Sequence, residues 1–239
     1  LRVASVLAKG TANLSAQRAI VDARGARDSV AINAAAIRLS SRTGDVGSPS
    51  APFSLFASTG AFGGTVAGGV YATTPTGDLR VSGLRAGGDV QLRAPRSLLG
   101  VGTAPHVTGA RVDLIAGSGT IGDADQFFSV DSNGQVVAKA VTGLWFEEWN
   151  GDLNARDIGT RSGPLKIRVR NGNALFDNLF SDDVLDFDLA GGSLVVGYLE
   201  ADSVDLTVRQ EGATLLVRDM RIADGARLRA DRILLPKLA

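Results

Sequence analysis

The chain has 239 residues, and its 25 lysine and arginine side chains balance its 25 aspartate and glutamate side chains. This balance argues against a nucleic-acid partner, because a protein that binds a phosphate backbone needs an excess of basic side chains. The chain has no cysteine, so disulfides do not hold it together. No run of about 18 apolar residues predicts a transmembrane helix.

Short alternations of apolar and polar residues recur along the chain and predict half-buried strands. In chain order they lie at 37–39, 79–81, 90–92, 112–114, 167–169, 185–189 and 204–208. The clearest is the segment 185–189, which places Leu185, Phe187 and Leu189 on one face and Asp186 and Asp188 on the other. Helix signals are nearly absent, so the sequence predicts an all-β protein.

The chain also repeats itself. Residues 37–55 align without a gap to 112–130, and residues 157–167 copy the second half of that unit. Each copy has an aliphatic residue followed by glycine, in the pairs Val46-Gly47, Ile121-Gly122 and Ile158-Gly159. We expect the three glycines to form structural corners, with a positive φ or a close approach to the next coil. We also expect the three aliphatic residues to stack in one inward column.

A second, weaker spacing is close to 22 residues. Residues 86–92 match 108–114, and residues 200–208 match 222–230. Coils of this length predict a parallel β-helix (β-solenoid) of roughly 20–22 residues per coil, in which stacking pairs every strand edge and closes one core. We expect one solenoid segment over residues 1–239, with irregular loops near 58–76 and 143–152. Because the chain starts at Leu1 without a secretory signal, we expect it to be a fragment of a longer protein.

The segments 43–55, 118–130 and 156–167 resemble the G-x-I-G-x-x-x-x-P-L-x-V coils of filamentous-haemagglutinin-like bacterial exoproteins, which are exported by the two-partner route. The resemblance implies a right-handed parallel β-helix, secreted or displayed on the bacterial cell surface. It also implies a role in adhesion, in a biofilm matrix or in the display of a distal domain. The Asn-Pro motifs of that family's N-terminal export domain are not found in this chain.

Catalytic and metal sites have little support in the sequence. His106 is the single histidine and there is no cysteine, which argues against a Ser-His-Asp or Cys-His catalytic set and against structural zinc. A lone histidine in a loop is expected at the surface. No cofactor is predicted.

Acidic clusters are the stronger candidates. Asp182, Asp183, Asp186 and Asp188 lie together, and Asp186 and Asp188 share one face where they could hold calcium or act as an acid/base pair. The favoured interpretation is that these carboxylates keep an outward face soluble. Asp123 and Asp125 follow a glycine corner, and we expect them to cap a turn.

One segment, 143–152, is rich in aromatic residues in a chain otherwise poor in them. Its Trp145 and Trp149 could stack on sugar rings or meet a partner protein, together with Glu147 and Glu148. The favoured interpretation is that the two indoles fill an irregular coil.

These observations predict a non-enzymatic structural or adhesive shaft of a secreted or surface-bound bacterial exoprotein. One alternative is a carbohydrate-active β-helix enzyme, a polysaccharide lyase or glycosidase, that uses the acidic cluster. Another is a self-assembling fibre or sheath subunit. The expected partners are the flanking coils of the same polypeptide, a host or matrix glycan or protein, and further copies bound end to end.

Overall fold

The computed structural model describes residues 1–24 and 30–236. These residues form strands and turns. The strands are β1 (Arg2–Val3), β2 (Val6–Ala16), β3 (Val21–Asp22), β4 (Ile32–Ser41), β5 (Phe53–Ala57), β6 (Phe62–Val66), β7 (Val70–Thr73), β8 (Leu79–Ala86), β9 (Val90–Ala94), β10 (Leu98–Gly100), β11 (Val107–Gly109), β12 (Val112–Ala116), β13 (Thr120–Ile121), β14 (Phe128–Ser132), β15 (Gln135–Ala140), β16 (Gly143–Glu148), β17 (Leu153–Thr160), β18 (Leu165–Val169), β19 (Ala174–Leu189), β20 (Leu194–Val208), β21 (Thr214–Arg229) and β22 (Arg232–Leu234). Within the described ranges no helix is long and apolar enough to cross a membrane.

The strands stack in parallel as a β-solenoid of about 11 turns, with paired strands about 21 residues apart. This confirms the fold class predicted from the alternating pattern and the 22-residue spacing. The ladder is continuous, since β7 pairs with β9, β9 with β12, β12 with β15, and β15 with β17. Each coil therefore covers the strand edges of the next one, which leaves few unpaired backbone groups along the rod.

The core consists of inward columns of side chains, one residue from each coil. In β12 and β18 the residues alternate between buried and more exposed positions, as the period of a half-buried strand requires. Among the described residues, one column contains three of the six fully buried phenylalanines. It runs through Phe128, Phe146, Ile167, Phe187 and Leu206, all almost completely buried.

The expected single column of glycine-corner residues is wrong. Val46, Ile121 and Ile158 are all fully buried, but Val46 pairs with β7, Ile121 with β10 and β16, and Ile158 with β15 and β19. The reason is the repeat length. Three coils separate Val46 from Val112, and Ile121 lies nine residues further along the chain, on another face of the solenoid. The repeat between residues 37–55 and 112–130 therefore reflects similar glycine corners on different faces of the solenoid.

The weaker spacing near 22 residues gives the correct register. Val90 pairs with Val112, and Leu92 with Leu114, as the match of 86–92 to 108–114 predicts. Val204 likewise pairs with Ala226. A short repeat equal to one coil therefore identifies residues that are stacked, whereas a longer one does not.

Two of the three predicted glycine corners adopt the expected left-handed backbone. Gly47 has φ +68° and Gly122 has φ +67°, and at both positions a Cβ would overlap a backbone carbonyl of the next coil. Gly159 is not such a corner. It lies inside β17 without a positive φ, and the Phe180 ring of β19 packs directly over it. Gly159 therefore meets the other expectation, a close approach to the neighbouring coil.

The two segments expected to be irregular loops contain regular strands instead. Residues 58–76 include β6 and β7, and residues 143–152 include β16. In the first segment, Gly63 and Gly64 approach the backbone of neighbouring strands too closely for any side chain. Glycine here lets the ladder continue.

Candidate functional site

The aromatic segment lies on β16, and strand alternation decides which of its side chains reach solvent. Leu144 and Phe146 point into the core and are fully buried. Trp145 points outward and is half-buried. Trp149 lies directly after β16, four residues from Trp145, and at the usual rise of a strand the two residues are about 13 Å apart along the backbone. The two indoles are thus too far apart to stack on one sugar ring.

Glu148 occupies an inward position between Val130 and Val169 of the adjacent coils. Its side chain has no exposed surface. The Ser132 backbone N–H donates to its Oε1 at 3.0 Å, and the Ser132 hydroxyl donates to its Oε2 at 3.1 Å. Burial raises the pKa of Glu148 to about 8, because these bonds only partly offset the loss of hydration of the charged form. Glu148 is therefore a core residue with no surface left for a ligand.

Glu147 belongs to an outward cluster that braces the wall of the solenoid. The Ser129 hydroxyl donates to Glu147 Oε2 at 2.8 Å, and Arg170 Nε donates to its Oε1 at 2.9 Å. The guanidinium of Arg170 also lies 3.6 Å from the centre of the Trp149 ring. Glu147 is left 7% exposed. Of the four residues considered as ligand contacts, Trp145 lines the groove described next.

This groove, with a volume of about 300 Å³, runs along the outer face of the solenoid. We call it the outer groove. It is formed by outward side chains of consecutive paired strands, together with residues from the adjoining turns. Its lining includes Phe127, Trp145, Lys166, Arg168, Asp186, Asp188, Asp205, Thr207, Arg209 and Arg229. Trp145, Lys166, Asp186 and Asp205 are directly stacked in the ladder.

Ion pairs neutralise the carboxylates that line the outer groove. Arg209 donates to both oxygens of Asp188, at 2.6 and 2.7 Å. Arg229 lies 3.2 Å from Asp205. Lys166 is more loosely placed, with its Nζ 3.8 Å from Asp186. These pairs are largely exposed, so each contributes little to stability, but together they fix the side chains along the groove.

Arg168 differs from the other cations of the outer groove. Its guanidinium stacks over the Phe127 ring, 3.9 Å from the ring centre. It is in register with Asp188, but that carboxylate is bound by Arg209. Across residues 1–24 and 30–236, no hydrogen bond or ion pair engages the Arg168 guanidinium. Its donors are held in place and face the groove.

The predicted acidic cluster separates into two parts. Asp186 and Asp188 line the outer groove, each beside a cation. Asp182 and Asp183 lie at the irregularity in β19 between Ser181 and Val184, outside the groove lining. Calcium at Asp186 and Asp188 stays a prediction. Among the described residues, no group of three or more histidine, cysteine, aspartate or glutamate side chains is placed to hold a metal ion.

His106 is not the surface residue expected from its loop position, since it is only 1% exposed. The Ser129 backbone N–H donates to its Nδ1 at 2.9 Å, and Gln126 Nε2 lies 3.1 Å from its Nε2. Burial lowers the pKa of His106. The ring is also 5.7 Å from that of Phe128. His106 is thus a neutral core residue that satisfies a backbone donor of the next coil.

At the second glycine corner the turn-capping prediction is confirmed for Asp123, whereas Asp125 takes part through its backbone N–H. The backbone N–H groups of Asp125 and Gln126 donate to Asp123 Oδ1 at 3.0 and 2.7 Å. At the first corner, the N–H of Ala51 donates to Ser48 Oγ at 3.1 Å. The Asp123 carboxylate thus takes up two backbone donors of its turn, and the Ser48 hydroxyl shares the Ala51 N–H with the Ser48 carbonyl.

Sequence reasoning missed the residues that complete the outer groove, above all Phe127, Arg209 and Arg229. Their positions depend on which residues of successive coils are stacked, and the register was only partly read from the sequence. Comparison with known proteins gave no further guide: no family model, no curated protein and no solved structure matches this chain.

Proposed function

We propose that this chain is a structural shaft, a β-solenoid segment that spaces or presents an adhesive function of a bacterial exoprotein outside the cell, without catalysis of its own. The observation that carries the proposal is the unbroken parallel ladder over about 11 coils. At about 4.8 Å per coil, the stack is a rod roughly 50 Å long. Such a rod holds its two ends at a fixed separation.

Contacts between coils support this function. In the second half of the chain, side chains at the turns bond to the coil above or below, as when Gly151 N–H donates to Asn171 and Asn173 N–H donates to Asp152, both at 2.7 Å. The Ser193 N–H likewise donates to Asn173 at 3.0 Å. Because each coil is bonded to its neighbours at the turns as well as in the strands, the rod should resist bending.

The test has a mechanical and a cellular part. Small-angle scattering of the chain should show a rod of the stated length that does not shorten with ionic strength. Antibodies against the segment should label intact cells of the producing bacterium. Labelling that appears only after the cells are permeabilised would contradict the proposed location, and a flexible or collapsed particle would contradict the shaft.

The runner-up is a carbohydrate-active solenoid enzyme, and one observation favours it. Three carboxylates, Asp186, Asp188 and Asp205, converge with basic side chains in the outer groove. A catalytic acid, however, needs a carboxyl group whose protonation is adjusted to its task, and here Arg209 and Arg229 pair with two of the three. Incubation with neutral and uronate polysaccharides should release no new reducing ends or unsaturated products. Turnover that is lost in Asp188→Asn would establish the enzyme.

A further inference from the structure

We propose that the outer groove binds an oligosaccharide with one acidic sugar at its end. The ring of this sugar stacks on Trp145, and its carboxylate pairs with Arg168. Neutral sugars then extend towards Asp186 and Asp188. This binding site goes beyond the proposed shaft function and does not depend on it.

Trp145 provides a flat and rigid surface at one end of the outer groove. Its indole lies over Gly143, where φ is +153° and a Cβ would overlap the ring. The six-membered ring of the indole therefore lies against the backbone of its own strand, and the side chain lines the groove. Within the described chain the indole N–H has no hydrogen-bond acceptor. A seated aromatic ring beside a polar groove suits the apolar face of a pyranose.

Arg168 supplies the charge that selects the sugar. Its guanidinium presents a planar fork of donors that matches the two oxygens of a carboxylate. Stacking on Phe127 holds the fork in place, and no carboxylate of the described residues occupies it. Lys166, which is directly stacked on Trp145 in the ladder and only loosely paired, adds a second positive charge near the same end.

The other end of the outer groove restricts how much negative charge a ligand can carry. Asp186, Asp188 and Asp205 lie there, with the two latter carboxylates already neutralised by arginine. Because Arg209 and Arg229 are already engaged by these carboxylates, a polyanion running along the groove would have to displace an ion pair for each further charge that it placed there. Sugar hydroxyls can instead donate to them. The arrangement therefore favours one acidic sugar followed by neutral ones over a uniformly sulfated or uronate polymer.

Titration calorimetry with sialyllactose, lactose and the methyl ester of sialyllactose tests the proposal. The first ligand has the acidic sugar, the second lacks it, and the third lacks only its charge. We expect binding of sialyllactose and affinities at least about tenfold lower for the other two, the loss typical of one charge-assisted pair. Equal affinity for all three, or no heat with millimolar sialyllactose, would overturn the proposal.

Variants locate the site. Trp145→Ala and Arg168→Gln should each weaken sialyllactose binding about tenfold or more, and Arg168→Lys, which keeps the charge but loses the fork, should be intermediate. Arg93→Gln is the matched control, because Arg93 is an exposed strand arginine outside the outer groove. Circular dichroism checks that each variant keeps its strands. If all four variants bind alike, or if a heparin fragment binds more tightly than sialyllactose, the assigned site and ligand are wrong.

Discussion

Glu148→Gln should stabilise the solenoid at alkaline pH. Glu148 sits in an inward column between Val130 and Val169, and the nearby charge of Asp131 adds to the cost of ionising it. Glutamine has the shape of the protonated carboxyl group and can keep one acceptor and one donor towards Ser132. The substitution therefore removes the ionisation and leaves the packing nearly intact.

The size of the effect follows from the pKa of Glu148, which rises from 4.5 to about 8 on folding. Between these values the folded chain holds a proton that the unfolded chain has released. The free energy of unfolding therefore falls as the pH rises, by about 1.4 kcal/mol per pH unit. The full penalty is reached above pH 8 and amounts to about 5 kcal/mol. Below pH 4.5 the ionisation makes no contribution.

Urea unfolding at a series of pH values, followed by tryptophan fluorescence, measures this directly. The chain has only two tryptophans, and both flank Glu148, so the signal reports the coil in question. Glu148→Gln should match the wild type near pH 4 and exceed it increasingly up to pH 8. Glu211→Gln, a change of an exposed turn glutamate, should follow the wild type throughout. Parallel pH profiles for Glu148→Gln and the wild type would refute the reasoning.

Further substitutions test the corner glycines, the buried histidine and the core. Gly122→Ala should cost at least about 1–2 kcal/mol for its positive φ alone, and Gly159→Ala should also destabilise. Only the Gly159 defect should be relieved by adding Phe180→Ala, because its clash is with a side chain; relief of both, or of neither, would contradict these contacts. Because the pKa of His106 is lowered in the folded chain, the free energy of unfolding should decrease as the pH falls through 6.5 and below. His106→Gln should therefore make the urea midpoint depend less on pH in this range, and an unchanged dependence would contradict the reasoning. Phe187→Ala should cost about 3–5 kcal/mol in chemical denaturation, and a loss below 1 kcal/mol would show that its column is not a packed core.

Much of the fold could be predicted from local pattern, because a solenoid repeats one physical requirement in every coil. Alternation identified strands such as β12 and β18, and the match of 86–92 to 108–114 gave the stacking of β9 on β12. The repeat between residues 37–55 and 112–130 led to the wrong prediction of a single column, because a glycine corner is a local turn that can occur on any face of the coil. Val46 and Ile121 share that corner without sharing a column. Coil lengths also vary, with 24 residues from Val46 to Val70 but 20 from Val70 to Val90, so no single period predicts the register.

The candidate site was less predictable, and Glu148 shows why. The alternation of Leu144 and Phe146 continues inward to position 148, so the pattern itself places this side chain in the core. A general preference against buried carboxylates argues the opposite. Glu148 is buried despite this preference because Ser132 of the adjacent coil donates two hydrogen bonds to the carboxyl group. That partner is 16 residues away in sequence and is recognisable only once the coils are stacked.

The outer groove follows from the same register. Stacking places charged residues of opposite sign on neighbouring coils, as with Lys166 and Asp186, and such pairs disfavour a shifted alignment of the coils. Arg168 faces Asp188 in this scheme, but Arg209 takes that carboxylate from the adjoining turn. The guanidinium of Arg168 is therefore not needed to hold the coils in register. A cation that stacks on Phe127 but pairs with no carboxylate of the described residues is available for a ligand, and it lies in the groove that Trp145 also lines.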